Sequence, residues 1–192
     1  MIIILLGPPG SGKGTQANFI QNKLSIPHLS TGDILRQSVK NETDLGNKVK
    51  NIMAKGELVP DDLVLDVIKE RVSQSDCDQG FILDGYPRNI AQAESLNLAL
   101  KDIDRNIDRI LFLEVDFEVL ESRIETRSKE NNEEKRADDT SDVLIKRIDE
   151  YKTQTAPLGE YYRNNKKFRK INGMKSISEV SLDIENFLDN GI

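Results

Sequence analysis

Apolar positions along the chain fall into two kinds of run. Ile2 to Leu6, Phe81 to Leu83, Ile110 to Val115 and Phe168 to Ile171 are short and continuous, the pattern of strands buried on both faces. Between them the spacing is helical. Ala17, Ile20 and Leu24 mark one helix, Leu144, Ile148, Tyr151, Thr155, Leu158 and Tyr162 a longer one, and Ile177, Val180, Ile184 and Phe187 the last. Pro157, which lacks an amide hydrogen, should bend the longer helix. Buried strands alternating with amphipathic helices predict an α/β fold, a parallel sheet covered on both faces that binds ligands at the carboxyl ends of its strands. The apolar start, Met1 to Leu6, is too short for a secretory signal or a membrane span and has no basic flank, so it reads as a strand. With no internal repeat or low-complexity linker, the pattern predicts a single domain over residues 1–192.

Two segments depart from the alternation and read as insertions. Residues 30–59 are mostly helical in pattern, with Ser30 and Asp33 in capping-box spacing and Gly56 stopping a helix. Residues 126–137 are almost wholly polar, with SKENNEEKR at their centre, and lack an apolar face. Such a segment reads as a mobile flap. The core is then 1–29, 60–125 and 138–192.

Charge narrows the function classes. The net charge of −6 leaves no overall positive field for a nucleic-acid backbone or an anionic membrane, so any phosphate site must be local. Cys77 is the single cysteine, which rules out an internal disulfide and a multi-cysteine zinc cluster and fits a reducing cytoplasm.

A local phosphate site is visible. Gly7-Pro8-Pro9-Gly10-Ser11-Gly12-Lys13-Gly14-Thr15 follows the first strand directly and leads into a helical pattern. Glycines let successive backbone N–H groups converge on phosphate oxygens at a helix N-terminus, and Lys13 adds a mobile charge. A plain Gly-Pro turn is the alternative, but both flanks match a P-loop. The general motif has Ser or Thr directly after the lysine, whereas here Gly14 precedes Thr15. Alone, the loop specifies nucleotide phosphate binding and no particular reaction.

Four motifs in order supply the reaction. GPPGSGKGT, then Ser30-Thr31-Gly32-Asp33, Asp84-Gly85-Tyr86-Pro87-Arg88 and Arg136-Ala137-Asp138-Asp139 resemble the adenylate kinase family. The resemblance runs on through Thr155-Ala156-Pro157-Leu158 and Asn172-Gly173. It implies a P-loop NTPase three-layer sandwich with a five-stranded parallel sheet, an NMP-binding insertion (30–59) and a short lid (126–137). It also implies Mg²⁺-dependent transfer of the terminal phosphoryl group of ATP to AMP, by a cytoplasmic monomer without structural zinc.

Site residues carry over position by position. Gly10, Ser11, Gly12, Lys13, Gly14, Thr15, Arg123, Arg127 and Gly173 match ATP-binding positions. Thr31, Arg36, Glu57, Leu58, Val59, Gly85, Tyr86, Pro87, Arg88, Gln92, Arg136 and Arg147 match AMP-side positions. Lys13, Arg88, Arg123, Arg127, Arg136 and Arg147 are the implied catalytic cations, and Asp84 supported by Asp33 the water-mediated holder of Mg²⁺. The lid departs from the family's Gly-rich tip, carrying Glu130, Asn131, Asn132, Glu133 and Glu134 instead.

Bland readings stand beside these. Arg123 and Arg127 could pair with Glu121 and Glu125 on a helix surface. Asp138 to Ser141 could simply cap the long helix. His28 reads as a packed or turn histidine, and Asp61-Asp62 after Pro60 as a helix N-terminus rather than a metal pair. Asp84 could be a turn residue, although its place after an apolar strand favours a metal role. Competing functions are a UMP/CMP kinase, against which Thr31 and Gln92 argue, and a catalytically silent nucleotide sensor. A P-loop GTPase is disfavoured because no Asn-Lys-x-Asp motif occurs.

Overall fold

A computed structural model describes residues 1–120, 122–123 and 141–190. Five parallel strands form one sheet: β1 (Ile2–Leu6), β2 (His28–Ser30), β3 (Phe81–Asp84), β4 (Arg109–Glu114) and β5 (Phe168–Asn172), in the order β2-β3-β1-β4-β5. The helices are α1 (Lys13–Leu24), α2 (Thr31–Lys40), α3 (Asp44–Ala54), α4 (Asp61–Val72), α5 (Ile90–Lys101), α6 (Ser141–Glu150), α7 (Leu158–Tyr161) and α8 (Ile177–Asp189).

The central strand explains the layering. Every residue of β1 is buried, and because successive side chains point to opposite faces, its alternate positions feed two cores. Ile2, Ile4 and Leu6 join Leu83, Val64, Ile68, Leu96 and Leu158 on one face. Ile3 and Leu5 join Ala17, Ile20, Val180 and Ile184 on the other. The result is helices, sheet, helices: the P-loop NTPase sandwich.

Strand β2 is the fifth strand that the resemblance implies and that no apolar run marks. It has three residues, of which only Leu29 is buried, and it exists by pairing His28, Leu29 and Ser30 with Ile82, Leu83 and Asp84. Residues 30–59 are mostly helical, as the pattern predicts, through α2 and α3. Ser30 Oγ accepts from Asp33 N at 3.3 Å, but Asp33 turns its carboxylate to Arg36 instead of closing a capping box. Helix α3 ends at Ala54, and the chain turns at Gly56 with φ of 74°.

The long helical stretch does not bend smoothly. Regular helix stops at Glu150, and Tyr151–Thr155 form a π turn closed by Ala156 N donating to Tyr151 O at 2.8 Å. Pro157, with no N–H to give, follows directly and opens α7. On α8, Val180, Ile184 and Phe187 are buried, whereas Ile177 is 67% exposed and lies outside the apolar face assigned to it by spacing. No helix among the described residues is long and apolar enough to cross a membrane.

Candidate active site

The sheet opens a cleft of about 880 Å³ at the carboxyl ends of β1, β3 and β4, and a smaller pocket of about 50 Å³ adjoins it. Register puts the two loops that matter side by side. Leu5 pairs with Asp84 across β1 and β3, so the chain leaves the sheet at Gly7 and at Gly85 in adjacent positions. All the candidate site residues that are described line the cleft or the pocket. Arg127, Arg136 and the proposed lid 126–137 lie outside the described residues. So do Glu121 and Glu125, the carboxylates of the ion-pair reading, and Asp138 to Thr140 of the capping reading.

The first loop is built to receive an anion. Gly12 caps α1 in the left-handed region, φ 92°, and a side chain there would meet nothing within 4 Å. Conformation, not space, therefore requires the glycine. The N-terminus of α1 has no acidic residue in its first turn, leaving its positive dipole end open toward the cleft. Lys13 Nζ donates to Gly7 O and Pro8 O, each at 2.9 Å, lying back across the loop. Ser11 Oγ is buried with no hydrogen-bond partner among the described residues, an orphan that an anion's oxygen would satisfy.

Opposite lies the loop after β3. Asp84 ends the strand 8% exposed, with Oδ2 at 3.2 Å from His28 Nε2 and its carbonyl accepting from Thr31 Oγ1 at 3.2 Å. His28, read from sequence as a packing residue, is thus the side chain that orients this carboxylate. The Tyr86-Pro87 peptide is cis. Among the described residues Arg88 Nε donates to Gly85 O at 2.8 Å, its N–H to Gln92 Oε1 at 2.7 Å, and its carbonyl accepts from Thr155 Oγ1 at 2.7 Å. Burial pushes the Tyr86 hydroxyl far above its ordinary pKa, and the Asp61 charge adds to the shift, so this phenol stays neutral beneath the loop.

The remaining cations come from three directions. Arg36 on α2 is forked onto Asp33 Oδ1 at 2.6 and 3.2 Å. Arg123 donates to Gly173 O at 3.0 Å, and Arg147 in the last turn of α6 lines both cleft and pocket. Among the described residues Lys13, Arg36, Arg88, Arg123, Arg147 and Lys175 make six cationic side chains lining the cleft against three carboxylates, Asp33, Asp84 and Glu150, in a chain whose net charge is −6. Positive potential is local to this site, as the sequence demanded. The adjoining pocket is floored by Thr31, Glu57, Leu58, Val59, Tyr86 and Gln92.

Sequence reasoning missed two residues here. Thr155 reads from sequence as a core position on a long helix and as the first residue of the Thr155-Ala156-Pro157-Leu158 resemblance, with no contact to Arg88, and Asp61, which accepts from Gln92 Nε2 at 2.6 Å, only as a helix start. Both contacts span 31 or more residues, and only an Asp in the first turn of α4 hinted at either.

A strand-loop-helix anion cradle opens onto a second pocket lined by Arg36, Arg88 and Arg147. That arrangement defines a phosphotransferase, the nucleoside monophosphate kinase class of P-loop proteins. Comparison with known proteins narrows the class: the family model "Adenylate kinase" matches residues 5–167. The chain is 47% identical over 188 residues to an adenylate kinase of Parvibaculum lavamentivorans, covering 98% of this chain and 92% of the relative. It is 46% identical to one from a Cyanothece species (97% and 94% covered) and 41% identical to one from Clostridium botulinum (98% of each). The chain belongs to the adenylate kinase family, and its function is that of an adenylate kinase.

Proposed function

We propose that the chain catalyses the reversible, Mg²⁺-dependent transfer of the terminal phosphoryl group of ATP to AMP, giving two ADP and balancing the adenine nucleotide pool. One observation carries this reading. The P-loop and the Arg88 loop open into a single continuous cleft, so a donor and an acceptor phosphate can meet without crossing solvent.

ATP would bind along Gly10 to Thr15, with Arg123, Arg127 and Gly173 on the nucleotide side. AMP would lie in the pocket of Thr31, Arg36, the Glu57 to Val59 main chain, Gly85 to Arg88 and Gln92, with Arg136 and Arg147 reaching the transferred group. Residues 30–59 act as the NMP-binding insertion and 126–137 as the lid over a core of 1–29, 60–125 and 138–192. Closure of both would exclude water, which otherwise competes as acceptor.

Phosphoryl transfer passes through a loose transition state whose charge spreads over equatorial oxygens, so catalysis is in-line positioning plus electrostatic stabilisation. Two polyanions repel until fixed cations lie between them. Lys13 would leave its carbonyl partners for the phosphates, and Arg88, already fixed in position, would present a planar fork that stays ionised.

The donor set also suits Mg²⁺. Among the described residues no cluster of three or more His, Cys, Asp or Glu side chains could hold a metal. Asp84, a hard oxygen donor at the cleft floor, with Asp33 nearby, offers the one or two carboxylates this ion takes when water and phosphate complete its shell. Bound there, Mg²⁺ supplies charge neutralisation on the phosphate oxygens.

The cytoplasm as compartment and a monomeric state follow from the family resemblance, and a single buried cysteine agrees with a reducing compartment. An acceptor screen with AMP, CMP, UMP and GMP, with and without Mg²⁺, tests the central reading. AMP should be strongly preferred and the reaction should require the metal; preference for UMP or CMP would overturn the assignment.

A further inference from the structure

The acceptor pocket contains one carboxamide whose polarity is fixed from both ends. Gln92, 2% exposed, accepts the Arg88 N–H on Oε1 at 2.7 Å and donates from Nε2 to Asp61 Oδ1 at 2.6 Å. These partners leave no ambiguity about which end is oxygen. A backbone N–H can only donate and a carboxylate can only accept. Turning the amide over would set NH₂ against N–H and carbonyl against carboxylate, forfeiting two hydrogen bonds at a buried position.

Asp61 is itself anchored. Asn89, the N-cap of α5, donates Nδ2 to both of its oxygens at 3.1 and 3.3 Å while its Oδ1 accepts from Gln92 N at 2.7 Å. The N-terminus of α4 is thereby tied to the N-terminus of α5 through the residue that faces the pocket. An exposed aspartate in a first helical turn is ordinarily explained by the helix dipole, yet Asp62 in the same turn satisfies that and makes no contact with Gln92 in this network.

We propose that Asp61 is a specificity-determining positioning residue that locks Gln92 in the amide orientation able to read a 6-aminopurine and to reject a 6-oxopurine. The proposal rests on the reading that Gln92 faces the acceptor base. A carboxamide has two lone pairs and two N–H groups. Arg88 uses one lone pair and Asp61 one N–H, which leaves one acceptor and one donor for the base. Adenine offers the complement, an N6 donor beside an N1 acceptor. Hypoxanthine offers the reverse, an O6 acceptor beside an N1 donor, and meets the locked amide with two like pairs. Reading it would need the flip that Asp61 forbids.

AMP and IMP differ only at this edge, so the ratio of their kcat/KM values as acceptors, with ATP as donor, isolates the lock. Asp61→Asn can present either a donor or an acceptor to Gln92, and Asp61→Ala neither. Both variants should raise the IMP:AMP ratio about tenfold, the scale of one hydrogen-bond preference. Asp62→Asn, which removes the same charge one residue along, should leave the ratio unchanged. A merely structural role for Asp61 would lower both rates in proportion and leave the ratio where it was.

If both Asp61 variants keep the wild-type ratio within about twofold while Gln92→Ala alters it, the lock is refuted and the acceptor site stands. An equal rise with Asp62→Asn also refutes it, since bulk charge would then be the cause. Should Gln92→Ala also leave the ratio untouched, Gln92 does not face the base, and the acceptor-site reading falls together with the proposal.

Discussion

A single hydroxyl ties the π turn to the Arg88 loop. Thr155 Oγ1, in the π turn and 7% exposed, donates to Arg88 O at 2.7 Å across 67 residues. Thr155→Val keeps the side-chain shape and withdraws the donor, leaving that carbonyl short of a bond at a site water reaches poorly. The cost should be about 1–3 kcal/mol, read as a lower urea midpoint at constant slope. Because the clamped residue is Arg88, the loss should also reach the chemistry. Small misplacements of positioning groups are costly, so kcat/KM for AMP should fall about tenfold, while KM for ATP, set by the P-loop, should hold. Thr155→Ser, which retains the hydroxyl, should recover most of the rate. Stability within about 0.5 kcal/mol and rates within about twofold of wild type for Thr155→Val would refute the clamp.

Three further outcomes follow from the geometry. Arg88→Lys keeps a charge but loses the planar fork that donates to Gly85 O, and should lower kcat at least about tenfold, near 1.4 kcal/mol; rates unchanged in steady-state assays reject the role. Gly46 sits where α3 meets α2 so closely that an added Cβ would collide with the Ser38 carbonyl. Gly46→Ala should therefore cost about 1–3 kcal/mol by forcing the helices apart, and an unchanged melting temperature would contradict that contact. The Ser176 hydroxyl, and then its backbone N–H, hold the Glu179 carboxyl below its ordinary pKa in the capping box of α8. A depressed acid stabilises the fold fully above its unfolded value and loses that contribution as pH falls through the folded one. Glu179→Gln should flatten the acid limb of the stability curve below about pH 4.5, and an acid limb of unaltered slope would count against it.

How far the sequence could be read depended on the range of the forces involved. Strand β1 was legible because a strand buried on both faces must be continuously apolar, and Ile2 to Leu6 is. The anion loop was legible because its glycines and lysine are local to one turn. Strand β2 was not, since Leu29 alone is buried and the strand owes its existence to the main chain of β3. Nor was the π turn, because Tyr151, Thr155, Leu158 and Tyr162 are all buried as regular helical spacing requires; the extra residue per turn leaves no mark on the hydrophobic pattern. Motif resemblance named five of the six cationic side chains that line the cleft among the described residues and missed Lys175. It could not supply the contacts of Asp61 or Thr155, which arise only when α4 and the π turn pack against the Arg88 loop.

Those two contacts bear on how the Arg88 loop is held in place. Electrostatic catalysis gains most when the groups that will meet developing charge are already in place, because no reorganisation is needed at the moment of reaction. Arg88 meets that condition through its N–H, its carbonyl and its side chain, each held by a different element. Among the described residues the Lys13 ammonium donates to the Gly7 and Pro8 carbonyls of its own loop. Strand register underlies the placement of both loops. With Leu5 opposite Asp84, a slip of one residue between β1 and β3 would turn Asp84 to the other face and carry the Arg88 loop out of line with the P-loop. The pairing of two short buried strands is thus what sets the P-loop beside the Arg88 loop.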